Sequence, residues 1–443
     1  MLLPTKLYIA GGTSAVVLTA AVLVLQNVNT TRLMFRTRDI FQVCSREIYY
    51  YPTSLLSSFL LASIVLTGFL GSGDPLRNVL PLFIWTVWWI GVVALQGLLG
   101  NLWPWINPWS GIHKLLRQMV CKPASWTVKL PATTGAWPAV VIFILFMGYF
   151  LASVTLNSPS DLAEIICAYW AITLVGMLIF SEKIWLRQFE CFSIFLYLTS
   201  LVSPVGRVKG TCRIGLPGWK IYDNKEYSTS IGTFSLIMLG CGSFDGLNET
   251  FWWLTTIGVN PLDFPGRSAI RVETLTGLLT FNALLISVFA TSVWCGLALV
   301  RHQTKQTSRI TFQQAFSKFA LTLLPIAFAY HMAHFMTVFL VNIQYLPHAI
   351  SDPLSSGSNY LSLTNYHVQL GFLTNHHTVE TIWRTQVAIV VIGHVVSVVL
   401  AHAVSVDLFK HTKAAVISQA PLVTFMTAYT CLGLWLLSSP RIS

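Results

Sequence analysis

The feature that most constrains this chain is a series of uninterrupted apolar runs, most of them about as long as the 20 residues that an α-helix needs to cross a bilayer. Only 10% of the 443 residues are charged and 54% are hydrophobic, whereas a soluble domain usually carries about 25% Asp, Glu, Lys and Arg. The sequence therefore predicts an all-α fold, a polytopic transmembrane helical bundle. Residues 1–443 form a single integral membrane domain, with no soluble domain.

The remaining composition excludes several classes of protein. The eight cysteines are scattered without a Cys-x-x-Cys pair, which is not the pattern of a disulfide scaffold or a zinc ribbon. The formal net charge of +11 comes from Lys and Arg between the apolar runs, where they set orientation against anionic lipid. We therefore expect the lipid bilayer to be the partner of these residues, and we expect no nucleic acid.

About ten apolar runs are predicted to span the membrane. A further run, Phe189 to Val202, is short and begins beside Glu190, so that it is interfacial, re-entrant or a short span. The predicted number of spans is therefore 10, or 11 if this run also crosses. The other runs are residues 7–25, 54–71, 79–100, 137–156, 161–180, 230–253, 274–300, 318–343, 385–406 and 420–438.

The distribution of Lys and Arg between the runs predicts the orientation. Basic residues follow the first run and recur through residues 203–229, which we predict to be a turn-rich cytoplasmic connector. Residues 344–384 are rich in His and are predicted to form an external loop. Only the short segment with Arg267 and Arg271 breaks the alternation. Both termini are predicted to lie outside, in a protein integral to the bacterial inner (cytoplasmic) membrane.

Histidines are concentrated in one part of the chain, because nine of the 11 lie between His331 and His411. His331 and His334 are three residues apart in an apolar run, which places both on one side of a helix. His394 and His402 lie in the next run. Ionisable residues inside a bilayer are costly and mark function by default.

Position within the runs predicts which of these histidines meet. His334 and His394 each lie about ten residues from the same predicted surface, or roughly 14 Å deep at 1.5 Å per residue. His402 lies eight residues beyond His394, which adds about 12 Å on the same rise. We therefore predict His331, His334 and His394 as metal ligands and expect His402 to make a structural contact between helices.

Three acids complete the candidate site. Asp245 and Glu249 are four residues apart on one helical face, and Asp352 follows the helix of His331 and His334. Imidazoles with carboxylates suit Zn, Fe, Mn or Cu, and a bound divalent metal ion acidifies water into a nucleophile. We therefore predict Asp245, Glu249 and Asp352 as catalytic residues, each serving as ligand or general base.

Structural alternatives stay open for these residues. Asp245 can accept hydrogen bonds at a helix end, and Asp352 can begin a turn before Pro353. A buried histidine often only joins two helices by a hydrogen bond. We expect the four histidines of the external loop to be solvated; they are His348, His367, His376 and His377.

Nine segments, spread over nearly the whole chain, carry a resemblance to a family of proteins. They are residues 3–11, 107–109, 244–246, 249–250, 330–334, 351–353, 393–402, 418–421 and 430–437. Together they resemble a bacterial family of polytopic membrane proteins known as fenitrothion hydrolases. The resemblance implies hydrolysis of an organophosphate triester to a nitrophenol and a dialkyl phosphate, and it implies no catalytic residues of its own. The chain departs from the family after Ser-Asp-Pro, where residues 354–360 lack the aromatic, Gly-rich stretch and the further Asp.

Two classes of function follow from these observations. The first is an intramembrane, metal-dependent hydrolase acting on a small molecule that the sequence does not identify. The second is a non-catalytic membrane subunit that anchors a redox or transport complex. In that class, His334 and His394 would hold a haem between two helices, and other membrane subunits would be the partners.

Overall fold

The computed structural model describes residues 5–26, 28–42, 50–120, 128, 130–208, 210–224, 227–263, 265–304, 310–363 and 366–440. Of these described residues, 76% are helical and very few lie in strands. Nine of the described helices are long and apolar enough to cross a membrane. These observations confirm the predicted all-α helical bundle and indicate an integral membrane protein in a lipid bilayer.

Helices make up most of the elements, and the longest connection between two of them joins α18 to α19. A π-helical segment, Leu82–Val92, lies between α4 and α5. The others are α1 (Thr5–Val24), α2 (Val28–Met34), β1 (Arg38–Gln42), α3 (Tyr50–Leu70), α4 (Val79–Pro81), α5 (Val93–Leu99), α6 (Trp103–Ile106), α7 (Ser110–Val120), α8 (Trp137–Ala152), α9 (Pro159–Phe180), α10 (Glu182–Gln188), α11 (Cys191–Val202), β2 (Val205–Val208), β3 (Thr211–Ile214), α12 (Trp219–Asp223), α13 (Thr229–Asn248), α14 (Phe251–Thr256), α15 (Arg271–Thr304), α16 (Phe312–Leu321), α17 (Leu324–Asn342), α18 (Leu346–Ser351), α19 (His376–Phe409) and α20 (Thr412–Ser438).

Nine of the ten predicted spans coincide with the long apolar helices of the described residues. The tenth, residues 137–156, forms the shorter apolar helix α8. The run at 318–343 lies in two helices, α16 and α17, which are separated at Thr322 and Leu323. Pro325 in the first turn of α17 explains the break, because proline has no N–H to donate to the preceding turn.

The short run at Phe189–Val202 is part of a helical hairpin that enters and leaves the bundle at one end. α10 lies against α9, where a Cβ on Gly176 would stand 2.5 Å from the Trp185 ring. The chain turns at Glu190, and α11 returns with every residue buried except Tyr197. The two ends of the hairpin contact the same part of the chain, since Glu182 pairs with α7 and the Ser203 hydroxyl donates to the carbonyl at the end of α5. Because both of its ends lie at one end of the bundle, we call residues 182–203 the re-entrant hairpin.

The connector at 203–229 has more structure than the turn-rich segment expected from the sequence. Strands β2 and β3 form an antiparallel hairpin, and β3 also pairs with β1 in the order β1-β3-β2. Gly210 lies in the hairpin turn with φ of +84°, a conformation that favours glycine. Residues 209, 225 and 226 of the connector lie outside the described residues. Because β1 pairs with β3, the sheet joins the basic segment after the first long helix to the basic segment after the fourth.

Two ends of the bundle can therefore be distinguished. The basic end contains the sheet, α7 and α10, and it brings together Lys and Arg from several connectors. The histidine-rich end contains residues 344–363 and 366–384. There, a cavity of about 420 Å³ is lined by Arg77, His348 and Asp352, among others. Segments far apart in sequence thus meet at each end of the bundle.

Candidate functional site

Asp245 and His334 form a buried pair between two helices of the bundle. Asp245 lies near the end of α13 and His334 lies in the middle of α17. Nε2 of His334 is 3.1 Å from Oδ2 of Asp245, and the two side chains are only 7% and 8% exposed. An ionised carboxylate oxygen only accepts hydrogen bonds, so that in an Asp245 carboxylate pair Nε2 of His334 is the donor. The pairing offsets the cost of burying two polar groups among apolar helices.

A glycine next to Asp245 allows the two helices to approach closely. A Cβ on Gly246 would stand 1.9 Å from the Tyr330 hydroxyl and 3.7 Å from Nδ1 of His334. The Tyr330 ring stacks on the His334 imidazole with 5.7 Å between centroids and 12° between planes. Tyr330 is itself only 5% exposed. The carboxylate, the imidazole and the phenol therefore share one small region at the surface of α13.

A second hydrogen bond extends this polar region towards α20. The hydroxyls of Ser243 and Tyr429 are 2.6 Å apart and both residues are buried. Glu249 lies one turn beyond Asp245, where it caps the end of α13 and is partly buried. Ser243 and Asp245 are two residues apart and lie on different sides of α13, so that Ser243 meets α20 and Asp245 meets α17.

His331 lies on the same helix as His334 but contacts a different element. Its Nε2 is 2.8 Å from the Trp89 carbonyl oxygen in the π-helical segment. A carbonyl only accepts, so Nε2 of His331 donates there. Its ring packs edge-to-face against Trp89 and Phe335. π-Helical segments are uncommon and are frequent at functional sites, and this one was not predicted from the sequence.

His394 is directed towards α20. Its Nδ1 is 2.8 Å from the Val390 carbonyl of its own helix, and its ring lies beside Gly433. The packing of α19 on α17 gives the relative depth. Gln386 donates to the Ala333 carbonyl at 2.8 Å, so that the level of His334 corresponds to residue 386. His394 is eight residues further along α19, or about 12 Å at 1.5 Å per residue. The equal depth predicted for His334 and His394 is therefore not the arrangement of the structure.

His402 has the structural contact that was expected of it. It is buried, and its Nδ1 lies 2.9 Å from the Gln419 side-chain nitrogen on α20. Nε2 of His402 and Nε2 of His394 are both buried, and neither has a hydrogen-bond partner among the residues that the structure describes. The eight-residue spacing places these two rings about 12 Å apart along α19.

Asp352 organises a turn at the histidine-rich end. Its Oδ1 accepts from the Ser356 amide and its Oδ2 accepts from the Gly357 amide, each at 2.9 Å. Slight desolvation raises the pKa of this carboxyl, but the hydrogen bonds from the backbone amides of Ser356, Gly357 and Ser358 outweigh it and hold the pKa below its usual range. The turn that the sequence offered as an alternative role is thus present.

The structure brings together only part of the predicted cluster. Asp245 and His334 are in contact, whereas His331, His394 and Asp352 each bond to backbone groups elsewhere. Within the described part of the chain, one group of three or more His, Cys, Asp or Glu side chains has ligand atoms all within 4.8 Å of one another. It consists of His376, His377 and Glu380, at the start of α19.

Sequence reasoning missed a buried acid at the turn of the re-entrant hairpin. Glu190 is 1% exposed and caps α11 by accepting from the amides of Phe192 and Ser193. The Tyr169 hydroxyl donates to the same carboxylate at 2.5 Å. The sequence signal was present, since an acid directly before an apolar run is the pattern of a helix N-cap.

In comparisons with known proteins, no protein-family model, no curated protein and no solved structure matches this chain.

Proposed function

We propose that this chain is an intramembrane hydrolase in which Asp245 and His334 provide acid–base catalysis. The observation that supports it is the buried hydrogen-bonded pair, with 3.1 Å between Nε2 and Oδ2. A carboxylate that holds an imidazole in one tautomer is the recurring arrangement of a general base. Ionisable residues within a membrane bundle also mark function by default. The resemblance to fenitrothion hydrolases suggests the substrate class, a neutral and lipophilic phosphotriester.

The proposed step uses the residues that surround the pair. Nδ1 of His334 takes a proton from water, and the resulting hydroxide oxygen forms a bond to phosphorus. The phosphorus–oxygen bond to the aryl group breaks, and the aryl oxygen leaves with the electron pair. Asp245 stabilises the imidazolium, which then returns its proton to the product side. Tyr330 lies on the His334 ring and provides a phenol within the same region.

A divalent metal ion remains the cofactor that the sequence predicts, as Zn, Fe, Mn or Cu. An imidazole that donates one nitrogen to a carboxylate and keeps the other for a metal is a known arrangement, and Asp245 with His334 has that form. The donors proposed to complete the set are placed differently: His394 lies about 12 Å along α19 from the level of His334, and the His331 ring packs against Trp89 and Phe335. The contacts therefore support acid–base chemistry at Asp245 and His334 better than a three-histidine metal centre.

The second class of function, a non-catalytic membrane subunit, predicts a different outcome in the same experiment. A subunit with a haem between His334 and His394 would have no hydrolytic activity and would show a Soret band. The levels of these two histidines differ by eight residues along α19. This offset disfavours ligation of a single haem by both of them. For this reason the hydrolase is the proposal that we favour.

The experiment measures nitrophenolate release from a nitrophenyl phosphotriester by the full chain in proteoliposomes. Replacing a general base typically costs 10²–10⁴-fold in rate, so we expect His334→Gln and Asp245→Asn each to lose about that factor. His402→Gln is the control, because it removes an equally buried imidazole about 12 Å deeper than His394 along α19. Size-exclusion chromatography and circular dichroism verify that each variant is folded.

Two further outcomes separate the alternatives. If the parent releases no nitrophenolate, or if both variants keep the parental rate, the proposal is wrong. If His394→Gln loses activity and bound metal together with His334→Gln, the predicted metal ligand set accounts for the activity instead. Metal content per folded protein is measured in the same preparations.

A further inference from the structure

A second group of polar residues lies away from the buried pair, in the first turn of α19. His376, His377 and Glu380 each offer one ligand atom, and these three atoms all lie within 4.8 Å of one another. The two histidines are exposed and Glu380 is partly buried. The sequence suggested that these histidines are solvated, and their convergence with Glu380 became visible only in the structure.

The helix itself sets the spacing of the three side chains. Glu380 follows His376 by four residues and His377 by three, which are the two spacings that bring side chains together on a helix. The first turn is fixed by Asn375, whose side-chain oxygen accepts from the amides of His377 and Thr378. The Thr381 hydroxyl donates to the His377 carbonyl at 2.8 Å and closes the next turn. The backbone that carries the group is therefore well defined.

Small side-chain rotations would complete a coordination sphere. Zn²⁺ binds imidazole nitrogen at about 2.0–2.1 Å and carboxylate oxygen at about 2.0–2.2 Å in tetrahedral geometry, which places ligand atoms roughly 3.4 Å apart. The atoms of His376, His377 and Glu380 must therefore approach by up to about 1.4 Å relative to the 4.8 Å limit. Exposed side chains make this movement without disturbing packed neighbours.

The donor set selects the class of ion. Two imidazoles and one carboxylate suit Zn²⁺ and neighbouring transition metals, whereas Ca²⁺ and Mg²⁺ prefer oxygen ligands. Three protein ligands leave the fourth position of a tetrahedral ion for water. Arg384 competes for the carboxylate, since its Nη2 lies 2.6 Å from Oε1 of Glu380. Arg384 is 60% exposed, and an ion pair of that kind contributes little to stability.

The group is separate from the buried pair. The level of His334 corresponds to Gln386 on α19, which is nine residues beyond His377 or about 14 Å at 1.5 Å per residue. We infer that the start of α19 binds one Zn²⁺ ion through His376, His377 and Glu380, at the histidine-rich end of the bundle. This site does not depend on the proposed hydrolase activity.

The test is calorimetric titration of ZnCl₂ into the full chain in detergent micelles, purified without a histidine tag. We expect one Zn²⁺ ion per chain. The affinity for Zn²⁺ should be at least about tenfold lower in His377→Asn and in Glu380→Gln, because removing a metal ligand should weaken binding at least as much as removing a residue that only orients a ligand. His348→Asn and His367→Asn are matched controls in the same segment, and both should bind as the parent does.

The remaining outcomes distinguish this site from the buried pair. The double variant Asp245→Asn, His334→Gln should retain Zn²⁺ binding. Absorption bands of Co²⁺ in the visible region, lost in Glu380→Gln, should report a tetrahedral environment at the same residues. The inference is wrong if the parent takes up no Zn²⁺, if His377→Asn and Glu380→Gln bind as tightly as the controls, or if binding disappears in the double variant.

Discussion

Gly246 offers a direct test of how closely α13 and α17 pack at the Asp245–His334 pair. The substitution Gly246→Ala adds one methyl group, which would stand 1.9 Å from the Tyr330 hydroxyl. An ordinary contact between carbon and oxygen is about 3.3–3.6 Å, so the hydroxyl or the helix must move by about 1.4–1.7 Å. The Tyr330 ring cannot rotate away cheaply, because it is buried and stacked on His334.

The expected magnitude follows from two opposing contributions. Inserting a methyl group into a packed interior costs about 1–3 kcal/mol. Replacing glycine by alanine inside a helix returns about 0.5–1 kcal/mol. Gly242→Ala is a matched control on the same helix, one turn earlier, since its Cβ would meet Tyr330 only at 3.9 Å. The helix contribution cancels between the two variants, and Gly246→Ala should be less stable than Gly242→Ala by about 1–3 kcal/mol.

The measurement is the free energy of unfolding of both variants, from titration with a denaturing detergent in mixed micelles. We expect Gly242→Ala to be as stable as the parent or more stable, and Gly246→Ala to be destabilised. The proposed activity should fall in Gly246→Ala as well, because the Tyr330 and His334 rings would shift together. If Gly246→Ala is as stable as Gly242→Ala, the close approach of the two helices at this glycine is refuted.

Two further predictions concern the ends of the bundle. A reporter fused after Asn224 should be cytoplasmic and one fused after Gly357 should be external, because Lys and Arg gather at the basic end; finding both on one side would contradict the orientation. The turn at Asp352 should stay intact at pH 5 and loosen below about pH 4. The pKa of this carboxyl is lower in the folded chain than its unfolded value of about 3.9. The carboxylate therefore stabilises the turn above that unfolded pKa, and the stabilisation is lost as the pH falls through the folded pKa. Amide hydrogen exchange at Ser356 and Gly357, corrected for intrinsic rates, measures the loosening. The variant Asp352→Asn should show the same faster exchange at pH 7. Unchanged protection of these amides, both in the parent below pH 4 and in the variant at pH 7, would refute the role of the carboxylate.

The long helices could be predicted from the sequence because their signal is local. A run such as Pro159–Phe180 contains its own evidence, in length and hydropathy, that it can cross a membrane. The re-entrant hairpin at Glu190 could not be assigned in this way, because its apolar run is too short to span and its burial depends on contacts with other helices. The small sheet was missed for a related reason, since β1 pairs with a strand far away in the sequence.

The candidate site could be predicted only in part, because helix rotation and relative depth are set by packing. Asp245 and His334 were both chosen from the sequence, and their contact follows from the meeting of α13 and α17. His394 was placed at the same depth by counting residues from the ends of the runs. That count fails because α19 extends to His376 and is offset against α17, so that Gln386 rather than His394 lies at the level of His334.

The composition of α13 explains why a polar pair can lie inside this bundle. A carboxylate and an imidazole among apolar helices each need a hydrogen-bond partner, because an unsatisfied polar group is costly where water is excluded. Small residues let helix backbones approach closely in membranes, and Gly246 provides this on the face that meets Tyr330. The distance between Asp245 and His334 therefore depends on a glycine that contributes no polar group itself. Substituting Gly246 should perturb the pair as surely as substituting Asp245 itself.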